Sequence, residues 1–180
     1  MLQIFENFYE DPDAVREFAL ALPYDVVGNY PGVRTPCMNQ EFCDYIQGYL
    51  EEKLHTKITY FPRDLYNTAF QYTTKDAKTW IHHDSTKVAG VLYLTPNAPV
   101  ESGTAIYRHK KTGIYRHEEG QIDYNEDPLI EEDWEKIIEV GNVYNRLVIY
   151  DGMYYHRSVL PGFGTDLHTG RLFQTFFFDI

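Results

Sequence analysis

The sequence predicts a mainly β domain with flanking helices, an α+β chain built on a β-sandwich or barrel. Three observations carry this reading. Sixteen tyrosines and eleven phenylalanines favour pleated, half-buried surfaces over helices. From about residue 57 onward come short β-branched or aromatic segments bounded by Gly, Pro, Asn or Asp: KITYF, LYNTAFQYTT, KVAGVLYLT, TAIYRH, NRLVIYD and RLFQTFFFDI. Ahead of them, within residues 1–56, apolar residues recur at helical spacing instead.

The first helix is expected over residues 11–22. Asp11 is placed to cap it, Pro12 suits its first turn, and Val15, Phe18, Ala19 and Leu22 form one face before Pro23 ends it. The stretch VVGNYPGVRTP (26–36) is rich in turn formers and reads as a loop. Asn39 begins a second helix whose apolar stripe is Phe42, Cys43, Ile46, Tyr49 and Leu50. Both helices are expected to pack on a sheet. The strand-rich region then runs to the C-terminus, interrupted by one further helix expected around Trp134, Ile137 and Ile138. Residues 108–132 form a long polar stretch, the kind of segment that serves as a lid or loop. No repeat or linker divides the chain, so residues 1–180 form a single domain, with 1–56 as helical support and 57–180 as the β core.

Charge and composition exclude several classes. A net charge of −11 argues against a general nucleic-acid or anionic-membrane surface. The N-terminus has no basic region followed by an apolar run, and no window approaches a membrane span. Cys37 and Cys43 are read as a reduced pair rather than a disulfide, which together with the absence of secretory features points to the cytosol.

The chemistry concentrates in Trp80-Ile-His-His-Asp-Ser-Thr86. In extended backbone, alternate side chains share a face, so His82 and Asp84 point together and His83 points away. An imidazole and a carboxylate at that spacing occupy adjacent corners of a metal site, and a second histidine completes the two-His-one-carboxylate set of non-haem Fe(II) oxygenases. His-x-Asp alone is a weak signal, and His117-Glu-Glu119 offers a competing pattern in polar sequence. A third ligand is suggested by NRLVIYDGMYYHRS, where an apolar strand and a turn precede His156. Arg171 then opens the last aromatic strand, a costly place for a guanidinium without an anion.

The order His82, Asp84, His156, Arg171 resembles the 2-oxoglutarate- and Fe(II)-dependent dioxygenase superfamily, most of all its prolyl-4-hydroxylase-like branch and small bacterial and phage members. FQYTTKDAKTWIHHD is similar to that branch's approach to the metal motif. ESGTAIYRHK, with Ser102-Gly103-Thr104, is similar to its Gly-Gly-Thr-x-Phe turn and strand. The resemblance implies a double-stranded β-helix (a cupin-like jelly roll) with the N-terminal helices on the major sheet. It implies Fe(II) held by His82, Asp84 and His156, 2-oxoglutarate held through its distal carboxylate by Arg171 with a hydrogen bond from Tyr72, and O2 as co-reactant. Arg171 stands where prolyl hydroxylases often carry lysine, and Phe173 stands where some other branches carry serine, so prolyl specificity is not implied.

The expected activity is oxygenation, with succinate and CO2 as co-products. The expected substrate is an amino-acid side chain, free or in a peptide, or another small molecule. Trp80 and Tyr93 are candidates to wall the site, although ordinary core packing is the simpler role for both. Arg108, Lys110, Lys111 and Arg116 make a local basic cluster that reads first as a solvated mixed-charge loop, and Arg34 is a second candidate to reach the barrel mouth. The alternative reading is a jelly-roll module that binds a ligand or partner without catalysis. A zinc hydrolase on the same three ligands lacks an evident general base and leaves Arg171 unexplained.

Overall fold

The computed structural model describes residues 1–64, 66–118 and 131–180. The two predicted helices form where their caps are. In α1 (Pro12–Leu20) the Asp11 side chain accepts the Ala14 amide, and in α2 (Gln40–Leu54) Asn39 accepts the Phe42 amide. Among the described residues nine strands follow in chain order as β1 (Leu2–Phe5), β2 (Val33–Arg34), β3 (Phe70–Thr73), β4 (Val88–Tyr93), β5 (Thr104–His109), β6 (Trp134–Val140), β7 (Leu147–Asp151), β8 (His156–Ser158) and β9 (Arg171–Phe178). All pair antiparallel, in a six-stranded sheet ordered β1-β7-β4-β9-β3-β2 and a three-stranded sheet ordered β6-β5-β8.

Strand parity sorts the core. On β9, Leu172, Phe176 and Phe178 pack outward with Ile46, Leu50 and Cys43 of α2. Each such aromatic or aliphatic side chain contributes roughly 1.5–3 kcal/mol when buried. Arg171, Phe173, Thr175 and Phe177 alternate with them and take the other face, where Phe173 clusters with Ala89, Tyr93, Val148, Tyr150 and Val140 of the small sheet. The helices therefore cover one side of the large sheet, and the space between the two sheets is left for a site. This is the jelly-roll architecture the sequence led to, with the N-terminal helices on the major sheet.

The helix expected around Trp134 is instead the strand β6, preceded by a single 3-10 turn at Glu131–Asp133. Trp134, Ile137 and Ile138 satisfy helical spacing, but β6 is an edge strand of the small sheet. Ile137 and Ile138 are both exposed, at 38% and 37%. An edge strand pairs on one side only and is protected by charges such as Glu135, Lys136 and Glu139, which weakens the alternation that marks a strand in sequence. Of the polar stretch 108–132, residues 119–130 lie outside the described residues, so the expected lid does too.

Cys37 and Cys43 are free thiols; Cys43 is buried, and burial with the neighbouring Cys43 pushes Cys37 up to about 11, so Cys37 stays protonated at neutral pH. Among the described residues no helix is long and apolar enough to cross a membrane.

Candidate metal and anion site

The HHD segment is extended but outside the regular sheets. His82 and His156 form an isolated antiparallel bridge, exchanging amide-to-carbonyl bonds of 3.0 and 2.7 Å. Side chains opposite one another in such a bridge lie on the same face, and the two imidazole centroids are 4.4 Å apart. The Asp84 amide donates to Gly152 O at 2.7 Å, which draws the segment against the turn after β7. Gly152 is required there, because a Cβ on it would stand 2.2 Å from Thr86 O.

This backbone gathers His82, Asp84 and His156 so that one ligand atom from each lies within 4.8 Å of the others. His82 Nε2 is 3.9 Å from Asp84 Oδ1, and His156 Nε2 is 3.4 Å from Asp84 Oδ2. Each Nδ1 faces a backbone carbonyl, Trp80 O at 3.0 Å for His82 and Tyr154 O at 2.8 Å for His156. A carbonyl only accepts, so each Nδ1 carries a proton, and in the neutral imidazole this leaves Nε2 as the nitrogen that can bind a metal. Burial pushes His156 down to about 4 against the opposing pull of Asp84, which keeps it neutral and able to coordinate. Asp84 Oδ2 is buried and accepts no hydrogen bond. Two lone pairs and an unsatisfied carboxylate oxygen converging in this way fit a divalent cation, and the N2O donor set with carbonyl-anchored imidazoles fits Fe(II).

His83 takes no part in the ligand cluster, as alternation predicts, although it lines the cleft beside it. It stacks on His117 with centroids 3.9 Å apart and an interplanar angle of 9°. His117 is taken up by that stack and by the Tyr155 hydroxyl, and Glu119 lies outside the described residues.

Arg171 is 2% exposed and faces the interior. Its Nη2 donates to the carbonyls of Ser102 and Val159, while its Nε is buried without a partner. Beside it the Tyr93 hydroxyl meets Thr104 Oγ1 at 2.7 Å. Gly103 lets this corner close, since a Cβ there would lie 1.8 Å from Val140 O. Along β8, the step from His156 to Val159 spans about 10 Å of extended chain. A narrow cavity of about 100 Å3 reaches from the His82–Asp84–His156 cluster to Thr104, between Tyr150 and Phe173.

Tyr72 is not brought to this site. On β3 it shares a face with Phe70, packs edge-on against Tyr24 on the helix side, and leaves the inward positions to Gln71 and Thr73. Sequence reasoning chose the wrong parity because it did not know which side the helices cover. Tyr93, for which core packing is the simpler reading in sequence, supplies the phenol beside Arg171, and Thr104 stands out in the sequence only as part of a turn motif.

Above the cluster opens a cleft of about 680 Å3 lined by Trp80, Tyr30, Tyr66, Phe177 and Arg34. None of Arg108, Lys110, Lys111 and Arg116 lines it; Arg108 pairs with Glu135 at 2.6 Å, Arg116 with Asp151 at 2.8 Å, and Lys110 donates to Glu132 O.

The chain matches the model of DUF6445, a family of unknown function, over residues 1–178, and it belongs to that family. A comparison with curated proteins finds no match. Among solved structures, HygX from Streptomyces hygroscopicus, determined with nickel, 2-oxoglutarate and hygromycin B bound, superposes with a TM-score of 0.66 at 10% identity, covering 97% of this chain and 80% of HygX. A Trichoplax adhaerens prolyl hydroxylase in complex with a hypoxia-inducible-factor peptide superposes at 0.58 and 11% identity, covering 98% and 82%. The Fe(II)/α-ketoglutarate-dependent dioxygenase TqaL superposes at 0.51 and 13% identity, covering 99% and 82%. At these identities the likeness is one of fold.

Proposed function

We propose that this member of DUF6445 is a non-haem Fe(II)- and 2-oxoglutarate-dependent oxygenase that hydroxylates an amino-acid or peptidyl side chain or another small molecule. The balanced reaction is substrate C–H plus O2 plus 2-oxoglutarate giving substrate C–OH, succinate and CO2. The observation that carries the reading is the convergence of His82 Nε2 and His156 Nε2 on the Asp84 carboxylate, whose buried Oδ2 accepts no hydrogen bond. The shared fold with TqaL, and with HygX in its 2-oxoglutarate complex, supports it.

In this reading His82, Asp84 and His156 hold Fe(II), which when bound supplies the one-electron chemistry that couples O2 reduction to oxidative decarboxylation. The carbonyls of Trp80 and Tyr154 fix the imidazole tautomers and aim both rings. Arg171 offers its unpaired Nε–H to the distal carboxylate of 2-oxoglutarate, with Tyr93 and Thr104 completing that end. Tyr150, whose ring lies 4.7 Å from His156, and Phe177 wall the site and exclude water. The free thiols agree with a reducing, cytosolic setting for an Fe(II) enzyme.

Succinate formation from 2-oxoglutarate, dependent on added Fe(II) and stimulated by a substrate from an amino-acid and peptide panel, tests the proposal. Turnover that survives in His82→Ala, Asp84→Ala or His156→Ala removes the metal assignment, and the absence of any 2-oxoglutarate binding returns the chain to a non-catalytic jelly roll.

A further inference from the structure

Arg34 is unlike every other arginine among the described residues. Arg16, Arg63, Arg108, Arg116, Arg146, Arg157 and Arg171 each donate to a carboxylate or a backbone carbonyl. Arg34 donates through Nε to Gln71 Oε1, and neither of its Nη groups has a hydrogen-bond or ion-pair partner among the described residues. It is nonetheless only 7% exposed. Its guanidinium lies 3.8 Å over the Tyr30 ring and 5.2 Å from that of Tyr66. Cation–π contact offsets part of the cost of burying the cation, and the two Nη groups stay open to the cleft, free to donate to a ligand.

The position of those groups identifies what they await. Arg34 lines both the wide cleft and the narrow cavity below it, alongside His82 and Asp84. The pairing of β2 with β3 sets Arg34 opposite Gln71, which clamps the Nε edge and leaves the other end of the fork turned to the opening. Among the described residues no other lysine or arginine lines the cleft, and Asp64 and Asp84 do. One guanidinium flanked by two acids suits a planar monoanion better than a phosphate dianion. The remaining walls mix polar groups, among them Asn29, Ser85 and Thr86, with the rings of Tyr66, Trp80 and Phe177, and those rings give an apolar or aromatic body a surface to pack on.

We infer that Arg34 is the recognition residue for the primary substrate, and that this substrate is a small molecule carrying a carboxylate beside an apolar or aromatic group. The inference rests on the oxygenase reading for what happens to that molecule. It divides the two arginines by ligand: Arg171 behind the Tyr93–Thr104 pair serves 2-oxoglutarate, and Arg34 at the cleft serves the substrate.

Calorimetry on protein loaded with Mn(II) and N-oxalylglycine tests it with a matched pair of probes, N-acetyl-L-phenylalanine and its amide. The acid is expected to bind about tenfold or more tighter than the amide, as befits charge-assisted hydrogen bonds. Arg34→Gln should cut that preference to under about twofold and leave N-oxalylglycine affinity within about twofold. Equal affinity for acid and amide in the wild type, including failure of both to bind, overturns the inference, as does a preference that persists in Arg34→Gln or a variant that loses N-oxalylglycine instead. If Arg34→Gln does not fold, Arg34→Lys decides: loss of the planar stacked fork should weaken the acid at least about threefold with the amide unchanged, and an unchanged acid affinity overturns it. If N-oxalylglycine fails to bind Mn(II)-loaded wild type, the oxygenase reading falls, while the acid preference measured on metal-free protein still decides the role of Arg34.

Discussion

Arg34 and Arg171 are buried to nearly the same extent, at 7% and 2% exposure, and both face the space between the sheets, yet the protein treats them differently. Arg171 is tied to the carbonyls of Ser102 and Val159 and keeps one buried N–H free beside Tyr93. Arg34 rests on tyrosine rings, clamped at one edge by Gln71, with its outer fork open to the cleft. Burial lowers both guanidinium pKa values, that of Arg34 to about 10, which leaves Arg34 charged at neutral pH. A rigidly tethered cation at the closed end suits a ligand common to every turnover. A stacked cation at the open end suits one that varies between related enzymes.

That contrast is broken most severely at the point between the two arginines. Substituting His82, Asp84 or His156 by alanine should lower succinate formation by about a thousandfold or more, read in a coupled succinate assay, because the metal supplies several kcal/mol of the catalysis. Arg171→Leu should then raise the apparent KM for 2-oxoglutarate by about tenfold to a hundredfold. It should also lower stability to urea by about 1–3 kcal/mol, since the Ser102 and Val159 carbonyls lose their donor. Arg34→Gln should leave that KM unchanged within about twofold, which is the sharpest form of the comparison. Tyr93→Phe, which removes the hydroxyl beside Arg171 that bonds Thr104, should raise the KM by only about fivefold. Tyr72→Phe should do nothing to it, because that ring lies on the helix side of the sheet.

How much of this was legible in sequence follows the range of the forces involved. Asp11 and Asn39 act on amides three residues away, so both helix starts could be read from the chain. His82, His83 and Asp84 were sorted by strand alternation, and the bridge between His82 and His156 gives that alternation its partner. Tyr72 and Trp134 went astray because each depended on something non-local. Which face of β3 is inner is decided by where α1 and α2 pack, and β6 is a strand because it lies at the edge of β5. Arg34 could be noticed but not understood, since its meaning comes from Tyr30, Tyr66 and Gln71, which β2 pairing and the cleft walls bring together.

The most direct test of the central claim is an anaerobic titration of the Fe(II)-loaded protein with 2-oxoglutarate, following the weak visible charge-transfer band expected when the cosubstrate chelates iron. The account predicts a saturable band of one-to-one stoichiometry that is lost in His156→Ala, saturates only at higher 2-oxoglutarate in Arg171→Leu, and is unmoved in Arg34→Gln. A wild-type protein with no band, or a band that persists in His156→Ala, would contradict it.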